Sequence, residues 1–228
     1  MTSPILSLRG VAKAFTETGS RIELFRDLDF DVAAGDFTSI TGASGAGKST
    51  LLHILGLLES PTEGRVNFRG EDVTGFTDAK LSRVRNGELG FVFQFHHLLP
   101  DLTVLENVLL PLRIGGDKTL HGEGRERALA LLREVGLEGR LSHVPSQLSG
   151  GERQRAAVAR ALIRDPAVLL CDEPSGNLDT RNSEALHDML AALNRDRGVA
   201  ILVVTHDAGL ARRAVRPLTL RDGRLEPA

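Results

Sequence analysis

The segment GASGAGKST at residues 42–50 constrains the fold of this 228-residue chain more than any other feature. It has the spacing G-x-x-x-x-G-K-[ST], and it lies between a short strand pattern, GDFTSITG, and a helical apolar pattern, KSTLLHILGLLE. Its three glycines allow the backbone to curl until successive N–H groups point at phosphate oxygens, and the following helix adds the positive end of its dipole. A glycine-rich turn that matches by chance is the alternative, and the flanking strand and helix argue against it. The sequence therefore predicts a binding site for the phosphates of a nucleotide.

Two side chains of this loop have specific expected roles. Lys48 is expected to reach the β- and γ-phosphates of the nucleotide, and the hydroxyl of Ser49 is expected to ligate Mg²⁺. The predicted nucleotide-binding residues of the loop are Gly42, Ala43, Ser44, Gly45, Ala46, Gly47, Lys48, Ser49 and Thr50.

Composition narrows the class of protein. The formal net charge of -2, with both signs spread along the chain, lacks the single-sign field typical of a nucleic-acid binder. The only cysteine, Cys171, excludes a disulfide framework and a cysteine-based zinc site and indicates a reducing, cytosolic setting. The first residues, MTSPILSLRG, have no signal-peptide pattern, and no apolar run is long enough to cross a bilayer. If the protein works at a membrane, we expect it to do so through a partner.

Strand patterns recur along the chain. The segment RIELFRDLDFDV is typical of a half-buried strand in an antiparallel layer, because its apolar residues fall on even positions. Those residues are Ile22, Leu24, Leu28, Phe30 and Val32. Further strands are predicted at residues 6–8, 64–68, 89–93, 168–171, 199–204 and 215–220.

Helical patterns fill the middle of the chain and its last third. TVLENVLLPL and GRERALALLREVG have apolar residues at three- and four-residue spacing, and Gly136 is the predicted cap at the end of the second. The amphipathic segment RNSEALHDMLAALNRDRG is predicted to end at Gly198. We expect one α/β domain over residues 1–228, with a mostly parallel sheet, an N-terminal antiparallel β layer and an α-helical subdomain inserted at about residues 95–165.

Two carboxylates follow a buried strand in AVLLCDEPSGNLD. Asp172 and Glu173 would lie at the C-terminal end of that strand, the edge where ligands bind in open α/β sheets. Asp172 is predicted to hold the hydration shell of Mg²⁺, and Glu173 to polarise a water for attack on the γ-phosphate. A solvated acidic loop is the alternative, and the glycine-rich loop elsewhere in the chain disfavours it. Cys171 is interpreted as a small buried strand residue and not as a reactive thiol.

The segment LSGGERQ at residues 148–154 makes a family resemblance specific. Nearly end to end, the chain resembles the ATP-binding subunits of ABC transporters, which implies the P-loop NTPase fold of ABC ATPases. A P-loop kinase or GTPase, the alternative for the glycine-rich loop, gives no reason for this segment. In chain order the matching motifs are Walker A at 42–50, the Q-loop at Gln94, the signature at 148–154, Walker B at 168–172, the catalytic Glu173, the D-loop ending at Asp179 and the switch histidine His206.

The signature is expected to be half of a shared site. Ser149 is the predicted N-cap of a helix whose first backbone N–H groups are left uncovered by Gly150 and Gly151, which makes a second anion site. The resemblance implies that these three residues contact the γ-phosphate bound by the other subunit of a head-to-tail homodimer, and that Asp179 belongs to the same nucleotide site. Two ATP molecules would then be buried in one interface, which opens when hydrolysis removes the γ-phosphate.

The resemblance also assigns roles that the patterns alone leave open. It implies that His206 hydrogen-bonds the γ-phosphate and holds the attacking water together with Glu173. It implies that Gln94 senses Mg²⁺ and the same water. Phe15 matches the aromatic residue that stacks on adenine, where family members often have tyrosine, and a core phenylalanine is the alternative.

The chain departs from the family pattern at two positions. Glu152 stands where many members have glutamine, and Ser175 where threonine is commoner. Neither departure is expected to touch the chemistry. Because the lysine, glutamine, aspartate, glutamate and histidine of the pattern are all present, we expect an active ATPase.

The stretch GFVFQFHHLLPDLTVLENVLLPL at residues 90–112 bears on the partner. A metal site at His96 and His97 is disfavoured, because neighbours on an extended segment point to opposite faces and Asp101 is the only carboxylate close by. The apolar residues, Phe95 and those from 98 to 112, are interpreted as partly core. Their exposed remainder is interpreted as a socket for a cytoplasmic helix of a membrane partner.

The same stretch resembles the ATPases of Lol-type lipoprotein-release systems. That resemblance implies integral membrane subunits similar to LolC and LolE, and a peripheral position on the cytoplasmic face of the bacterial inner membrane. MacB-type exporters and FtsE-type cell-division ATPases are the alternatives in the same clade. A soluble ABC protein of translation or DNA repair is the alternative from another class, but the sequence has neither paired cassettes nor a long coiled-coil insertion.

Overall fold

The computed structural model describes residues 3–17, 20–117 and 121–228, and its centre is a six-stranded sheet in the order β10-β9-β3-β8-β7-β6. All neighbouring pairs are parallel except β9 with β10. The strands are β3 (Phe37–Thr41), β6 (Leu89–Phe93), β7 (Val168–Asp172), β8 (Ala200–Val204), β9 (Arg216–Arg221) and β10 (Arg224–Pro227). Because β7 and β8 are covered on both faces, they are continuous apolar runs, as buried parallel strands are. The predicted mostly parallel sheet is confirmed.

A second sheet, in the order β2-β1-β4-β5, is antiparallel throughout. Its strands are β1 (Leu6–Glu17), β2 (Ser20–Val32), β4 (Glu63–Phe68) and β5 (Glu71–Asp72). The predicted N-terminal antiparallel layer is confirmed, and β4 and β5 extend it from farther along the chain.

The simple alternation predicted for β2 is wrong in its first half. Leu28 and Phe30 are buried as expected, but Asp27 adopts a left-handed backbone with φ of 52° where the register with β1 shifts. This bulge turns the strand over. Phe25 is therefore buried at an odd position, and Ile22 is exposed.

The α-helices of the described residues are α1 (Lys48–Leu55), α2 (Asp78–Glu88), α3 (Val104–Ile114), α4 (Glu123–Glu134), α5 (Gly150–Leu162), α6 (Thr180–Arg197) and α7 (Ala208–Ala211). Gly136 and Gly198 follow α4 and α6 with left-handed φ of 70° and 67°, as their predicted capping positions require. Helix α1 ends at Leu55, earlier than its apolar pattern indicates. Helix α2 was not predicted, because it is polar and buries none of its residues.

The core has two parts, one on each face of the parallel sheet. Leu169 and Cys171 of β7 face a cluster built from α3, α4, α5 and α6, whereas Val168 and Leu170 face α1 and the antiparallel sheet. Burial raises the pKa of the Cys171 thiol, which makes it an inert core residue. Helices α3, α4 and α5 lie between β6 and β7 in the chain and pack on one another. In the ranges that the structure describes, no helix is both long and apolar enough to span a membrane.

Candidate nucleotide site

The glycine-rich loop joins β3 to α1 and leaves the first turn of that helix open. Gly47 is the N-cap residue with a left-handed φ of 95°, and no side chain caps the helix. The first N–H groups of α1 therefore remain for an anion. At Gly42, with φ of 148°, a Cβ atom would lie 2.5 Å from the carbonyl oxygen of Leu220, so the loop requires glycine there. Lys48 lies over the loop, where its Nζ donates to the carbonyls of Gly42 and Ala43, each at 3.0 Å.

Asp172 ends β7 beside the start of α1. The Ser49 hydroxyl donates to Asp172 Oδ1 at 3.0 Å, so these two predicted metal ligands lie together. Burial raises the pKa of Asp172, with the Ser49 hydrogen bond opposing that rise. A hydroxyl and a carboxylate of this kind are oxygen donors that suit Mg²⁺.

Glu173 turns sharply out of the sheet and faces the predicted switch histidine. Its φ of 46° is left-handed, and its N–H donates to the Val204 carbonyl at 2.9 Å. The turn brings Glu173 Oε1 to 2.8 Å from His206 Nδ1, while the His206 backbone N–H donates to Glu173 Oε2 at 3.2 Å. A non-glycine residue held in this conformation costs about 1–2 kcal/mol, as is common for side chains positioned at functional sites.

Glu173 also lines two clefts. The first, of about 300 Å³, joins it to the glycine-rich loop. The second, of about 250 Å³, joins it to His206 and the turn that leads to α6. The lining residues of the first cleft are Leu24, Ser44, Gly45, Gly47, Lys48, Ser49, Thr50 and Glu173. The loop and the predicted catalytic carboxylate thus share one space.

Gln94 lies next to this assembly and not at the Ser49–Asp172 pair. Its Nε2 donates to Asn177 Oδ1 at 3.2 Å, and Asn177 Nδ2 donates back to the Gln94 carbonyl at the same distance. The structure therefore ties the predicted Mg²⁺ sensor to the turn before Asp179.

The signature forms a separate, fully capped helix start. Ser149 Oγ accepts from the N–H of Glu152 at 3.2 Å, and Glu152 Oε2 accepts from the N–H of Ser149 at 2.8 Å, which is a reciprocal capping box. Arg140 Nε donates to the other oxygen of Glu152 at 2.9 Å. This arginine, followed by the Ser149 bonds, lowers the pKa of Glu152 to about 2. Gly150 and Gly151 lie outside the first cleft of the described chain.

The signature instead packs against Asn182, which is bonded to the predicted D-loop residue Asp179. A Cβ atom on Gly151 would lie 2.4 Å from Asn182 Oδ1. Asn182 in turn donates from Nδ2 to Asp179 Oδ2 at 2.7 Å, and Asp179 caps α6 by accepting from the Asn182 N–H. Gly151 and Asp179, both predicted to belong to the nucleotide site, are thus joined through Asn182.

Phe15 is 38% exposed, which does not fit the alternative of a core phenylalanine. Lys13 Nζ lies 4.9 Å from the centroid of its ring. Its partner across the hairpin, Ile22, lines a cavity of about 1130 Å³ together with residues 42–46 of the loop. The ring is therefore placed on the same side of the molecule as the loop.

The histidine pair in the 90–112 stretch does not lie on an extended segment. The prediction that an extended backbone points His96 and His97 to opposite faces is therefore wrong. His97 has a left-handed φ of 47°, and its ring packs edge-on against Phe93. His96 Nδ1 accepts from the Leu98 N–H at 3.3 Å. Arg160 of α5 holds the bend, because its guanidinium donates to the His96 and His97 carbonyls at 2.7 Å each.

Several residues of the site have contacts that the sequence does not predict. Glu152 had a local signal, since the Ser-x-x-Glu spacing of a capping box is present in LSGGERQ. Asn177 and Arg160 had none, because their partners lie more than 60 positions away in the chain.

The fold and the loop define the class of P-loop nucleotide-binding proteins. The model of the ABC transporter family matches residues 25–176. The dimeric structure of MJ0796, a bacterial ABC transporter cassette, is similar to this chain with a TM-score of 0.89 and 40% sequence identity, covering 97% of this chain and 96% of the other. The dimeric post-hydrolysis state of the same cassette, bound to ADP and Pi, has a TM-score of 0.88 at the same identity and coverage. The chain belongs to the ABC transporter family: it is an ATP-binding cassette and an ATPase.

Proposed function

We propose that this cassette powers the release of lipoproteins from the bacterial inner membrane as the ATPase of a Lol-type (LolCDE) complex. It would lie on the cytoplasmic face of that membrane, held there by integral subunits similar to LolC and LolE. The observation that carries the proposal is an apolar groove beside the 90–112 stretch, whose sequence resembles Lol-type ATPases.

The groove lies among α2, β6, α3 and α5 and has a volume of about 340 Å³. Its wall combines the apolar side chains of Leu58, Phe91 and Pro111 with the cationic side chains of Arg85 and Arg164. Leu58 is 48% exposed. A concave apolar surface with a basic rim suits an amphipathic helix that carries acidic residues.

The groove is connected to the nucleotide site through one arginine. Arg160 lines the groove and also donates to the His96 and His97 carbonyls, two and three residues after Gln94. A helix that moves in the groove would therefore move the segment that carries Gln94. This supports the interpretation of the groove as the place where hydrolysis is coupled to a membrane subunit.

We propose further that two copies form a head-to-tail dimer with two shared ATP sites. The dimeric form of MJ0796 supports this arrangement. Each chain has an open helix start at Gly47, and the capped helix start at Ser149 lies outside the cleft beside it. Ser149, Gly150 and Gly151 of one subunit would contact the γ-phosphate held by residues 42–50 of the other.

In the proposed hydrolysis step, Glu173 accepts a proton from the attacking water and His206 holds that water and the γ-phosphate. The 2.8 Å contact between the two side chains supports their acting as a pair. Ser49, Asp172 and Gln94 would hold Mg²⁺, which neutralises the charge of the phosphates when it is bound. Gln94 must release Asn177 to join that set, and Phe15 would stack on the adenine.

Docking is tested with matched single substitutions and reconstituted membrane subunits. Leu58→Asp places a charge in the groove, and Val215→Asp, at a position that is 85% exposed and not in the groove, is the control. We expect only Leu58→Asp to abolish co-purification with membrane subunits similar to LolC and LolE. Equal co-purification of both variants would contradict the groove as the docking site.

The cargo is tested with the complete complex in proteoliposomes. ATP-dependent release of a lipidated protein, with no release of its unlipidated form, is the expected result. Export of a macrolide, or activation of a peptidoglycan hydrolase without lipoprotein release, would favour the MacB-type or FtsE-type alternative. A cassette that binds only ribosomes or DNA would contradict the transporter assignment.

A further inference from the structure

A buried histidine contacts the two segments that follow the predicted catalytic residues Glu173 and His206. His187 projects from α6 and is 1% exposed. Its Nε2 lies 3.0 Å from Ser175 Oγ and 3.8 Å from Asp207 Oδ2. An apolar residue would fill the same core position at no desolvation cost. None of the roles predicted for the site accounts for a polar ring at this position.

The two contacts of His187 belong to the two segments that meet at the reaction centre. Ser175 follows Glu173 by two residues, in a turn closed by a hydrogen bond from the Gly176 N–H to the Glu173 carbonyl. Asp207 directly follows His206. The side chains of Glu173 and His206 contact each other at 2.8 Å, and His187 joins the segments that follow them.

The Asp207 side chain is itself held in place by hydrogen bonds. It caps α7, since its Oδ1 accepts from the N–H groups of Gly209 and Leu210 at 2.7 and 3.0 Å. Its other oxygen, Oδ2, faces His187. A ring held between this capped helix start and Ser175 therefore fixes the loop after His206 against the turn after Glu173.

The surroundings of the ring assign its tautomer. Nδ1 is buried without a hydrogen-bond partner among the described residues, whereas Nε2 faces a hydroxyl and a carboxylate. A buried N–H without an acceptor costs more than an unused lone pair, so the proton belongs on Nε2. Burial lowers the pKa of His187, with Arg213 acting in the same direction and Asp207, Glu184 and Asp188 opposing it, so the ring is neutral at neutral pH.

We infer that His187 is a positioning residue for ATP hydrolysis. By contacting both Ser175 and Asp207, it sets the distance between Glu173 and His206. The inference rests on the roles proposed above for Glu173 and His206. His187 does not touch the cleft, so it acts through these two side chains and not on the nucleotide. Loss of its hydrogen bond to Ser175 and of its contact with Asp207 is expected to lower kcat and leave the KM for ATP unchanged, because nucleotide binding depends on the loop at residues 42–50.

The test compares His187→Leu with His187→Gln in the full chain, by steady-state ATP hydrolysis over a range of ATP concentrations. Leucine fills the space without a hydrogen bond, whereas the glutamine amide places a donor and an acceptor near the position of Nε2. We expect kcat to fall roughly tenfold in His187→Leu and to return to within about threefold of the native value in His187→Gln, with KM unchanged in both. A native kcat in His187→Leu, or a glutamine variant no more active than the leucine variant, would overturn the inference.

Ser175→Ala supplies an independent arm in case a variant of the buried histidine fails to fold. It removes the hydroxyl that faces Nε2 and leaves the histidine in place. If the pair acts together, Ser175→Ala lowers kcat at constant KM, and the double variant with His187→Leu loses no more than the stronger single variant. Additive losses, or no loss from Ser175→Ala, would contradict the coupling.

Glu173→Gln separates this inference from the proposed catalytic roles. An inactive Glu173→Gln together with a fully active His187→Leu would reject only the positioning role of His187. An active Glu173→Gln would reject the role of Glu173 and, with it, the basis of the inference.

Discussion

Two helices of this cassette begin at predicted phosphate sites, and they begin in opposite ways. Helix α1 has no side-chain cap, since its N-cap residue is Gly47 in a left-handed conformation. Helix α5 has a complete capping box in which Ser149 and Glu152 satisfy each other's backbone N–H groups. The first start is open to a ligand in its own chain, and the second is structurally complete, with Ser149 exposed and Gly151 buried.

This difference indicates which site forms first. The α1 site has a loop, a lysine and an acidic strand end in one chain, so it needs only the nucleotide. The arginines beside the α5 site are both engaged within the chain, since Arg140 donates to Glu152 and Arg153 to the Pro145 and Leu148 carbonyls. The α5 site therefore suits an anion that is already held by another protein, which is the arrangement proposed for the dimer. Four substitutions test this contrast.

Glu173→Gln is expected to have the largest effect. It removes the proposed base and keeps the shape of the side chain, so ATP binding persists while turnover falls by about 10²–10⁴-fold. ATP would then stay between α1 of one subunit and α5 of the other and hold the dimer closed. Hydrolysis is measured by phosphate release and the dimer by size-exclusion chromatography. Turnover near the native rate would reject the role of Glu173.

Lys48→Ala is expected to weaken the α1 site alone. Lys48 is the cation over the loop, and a hydrogen bond to a charged group contributes about 1.5–3 kcal/mol, which corresponds to roughly 10- to 150-fold in affinity. Titration of the monomer with a fluorescent ATP analogue measures the change. An unchanged affinity would mean that the loop does not bind the phosphates.

Gly151→Ala is expected to spare the monomer and damage the α5 site. The new Cβ must displace the Asn182 side chain, which breaks its bond to Asp179. We expect unchanged ATP affinity of the monomer and a roughly tenfold weaker ATP-driven dimer, equivalent to the loss of one well-made contact. Gly139→Ala, where a Cβ meets nothing within 4 Å, is the control, and equal dimerisation of both variants would count against the shared site.

Glu152→Ala has the smallest expected effect, about 1 kcal/mol of unfolding free energy, which is typical of a lost helix cap. Glu152→Gln keeps the capping box and should lose less. The folded pKa of Glu152, about 2, lies below its ordinary value of 4.5, so its stabilisation is present above pH 4.5 and is lost as the pH falls toward 2. Urea unfolding between pH 7 and pH 3 should therefore show a smaller loss of stability for Glu152→Gln than for the native chain. Parallel curves would contradict this role of Glu152.

The sequence predicted the parts of the molecule that depend on local pattern. The loop at residues 42–50, the strand before Asp172 and the helix that begins after Ser149 each have a spacing that only a few backbone conformations satisfy. The assignment of the ATPase family followed from the order of these segments, and the fold and family comparisons agree with it.

The features that escaped prediction depend on proximity in space or on single backbone dihedrals. Ser175 and Asp207 are 32 positions apart, and nothing in either segment indicates that His187 lies between them. The pairing of Gln94 with Asn177 spans 83 positions. The left-handed residue Asp27 lies inside a regular apolar alternation, because a bulge changes the face of a strand without changing the kinds of residues that form it.

That bulge also makes the antiparallel sheet intolerant of changes in length. By turning β2 over at Asp27, it brings Leu24 and Phe25 against Gly47, where a Cβ atom would already lie 3.2 Å from Leu24 and 3.4 Å from Phe25. Deleting one residue there would restore a regular alternation of the two strand faces. Both side chains would then lose their contact with Gly47 of the phosphate loop. Substitutions of Asp27 by glycine or asparagine keep the conformation and should be inherited easily. Single-residue deletions at this point should be absent from working descendants of the gene, although Asp27 lies 15 positions before Gly42, the first residue of the predicted phosphate loop.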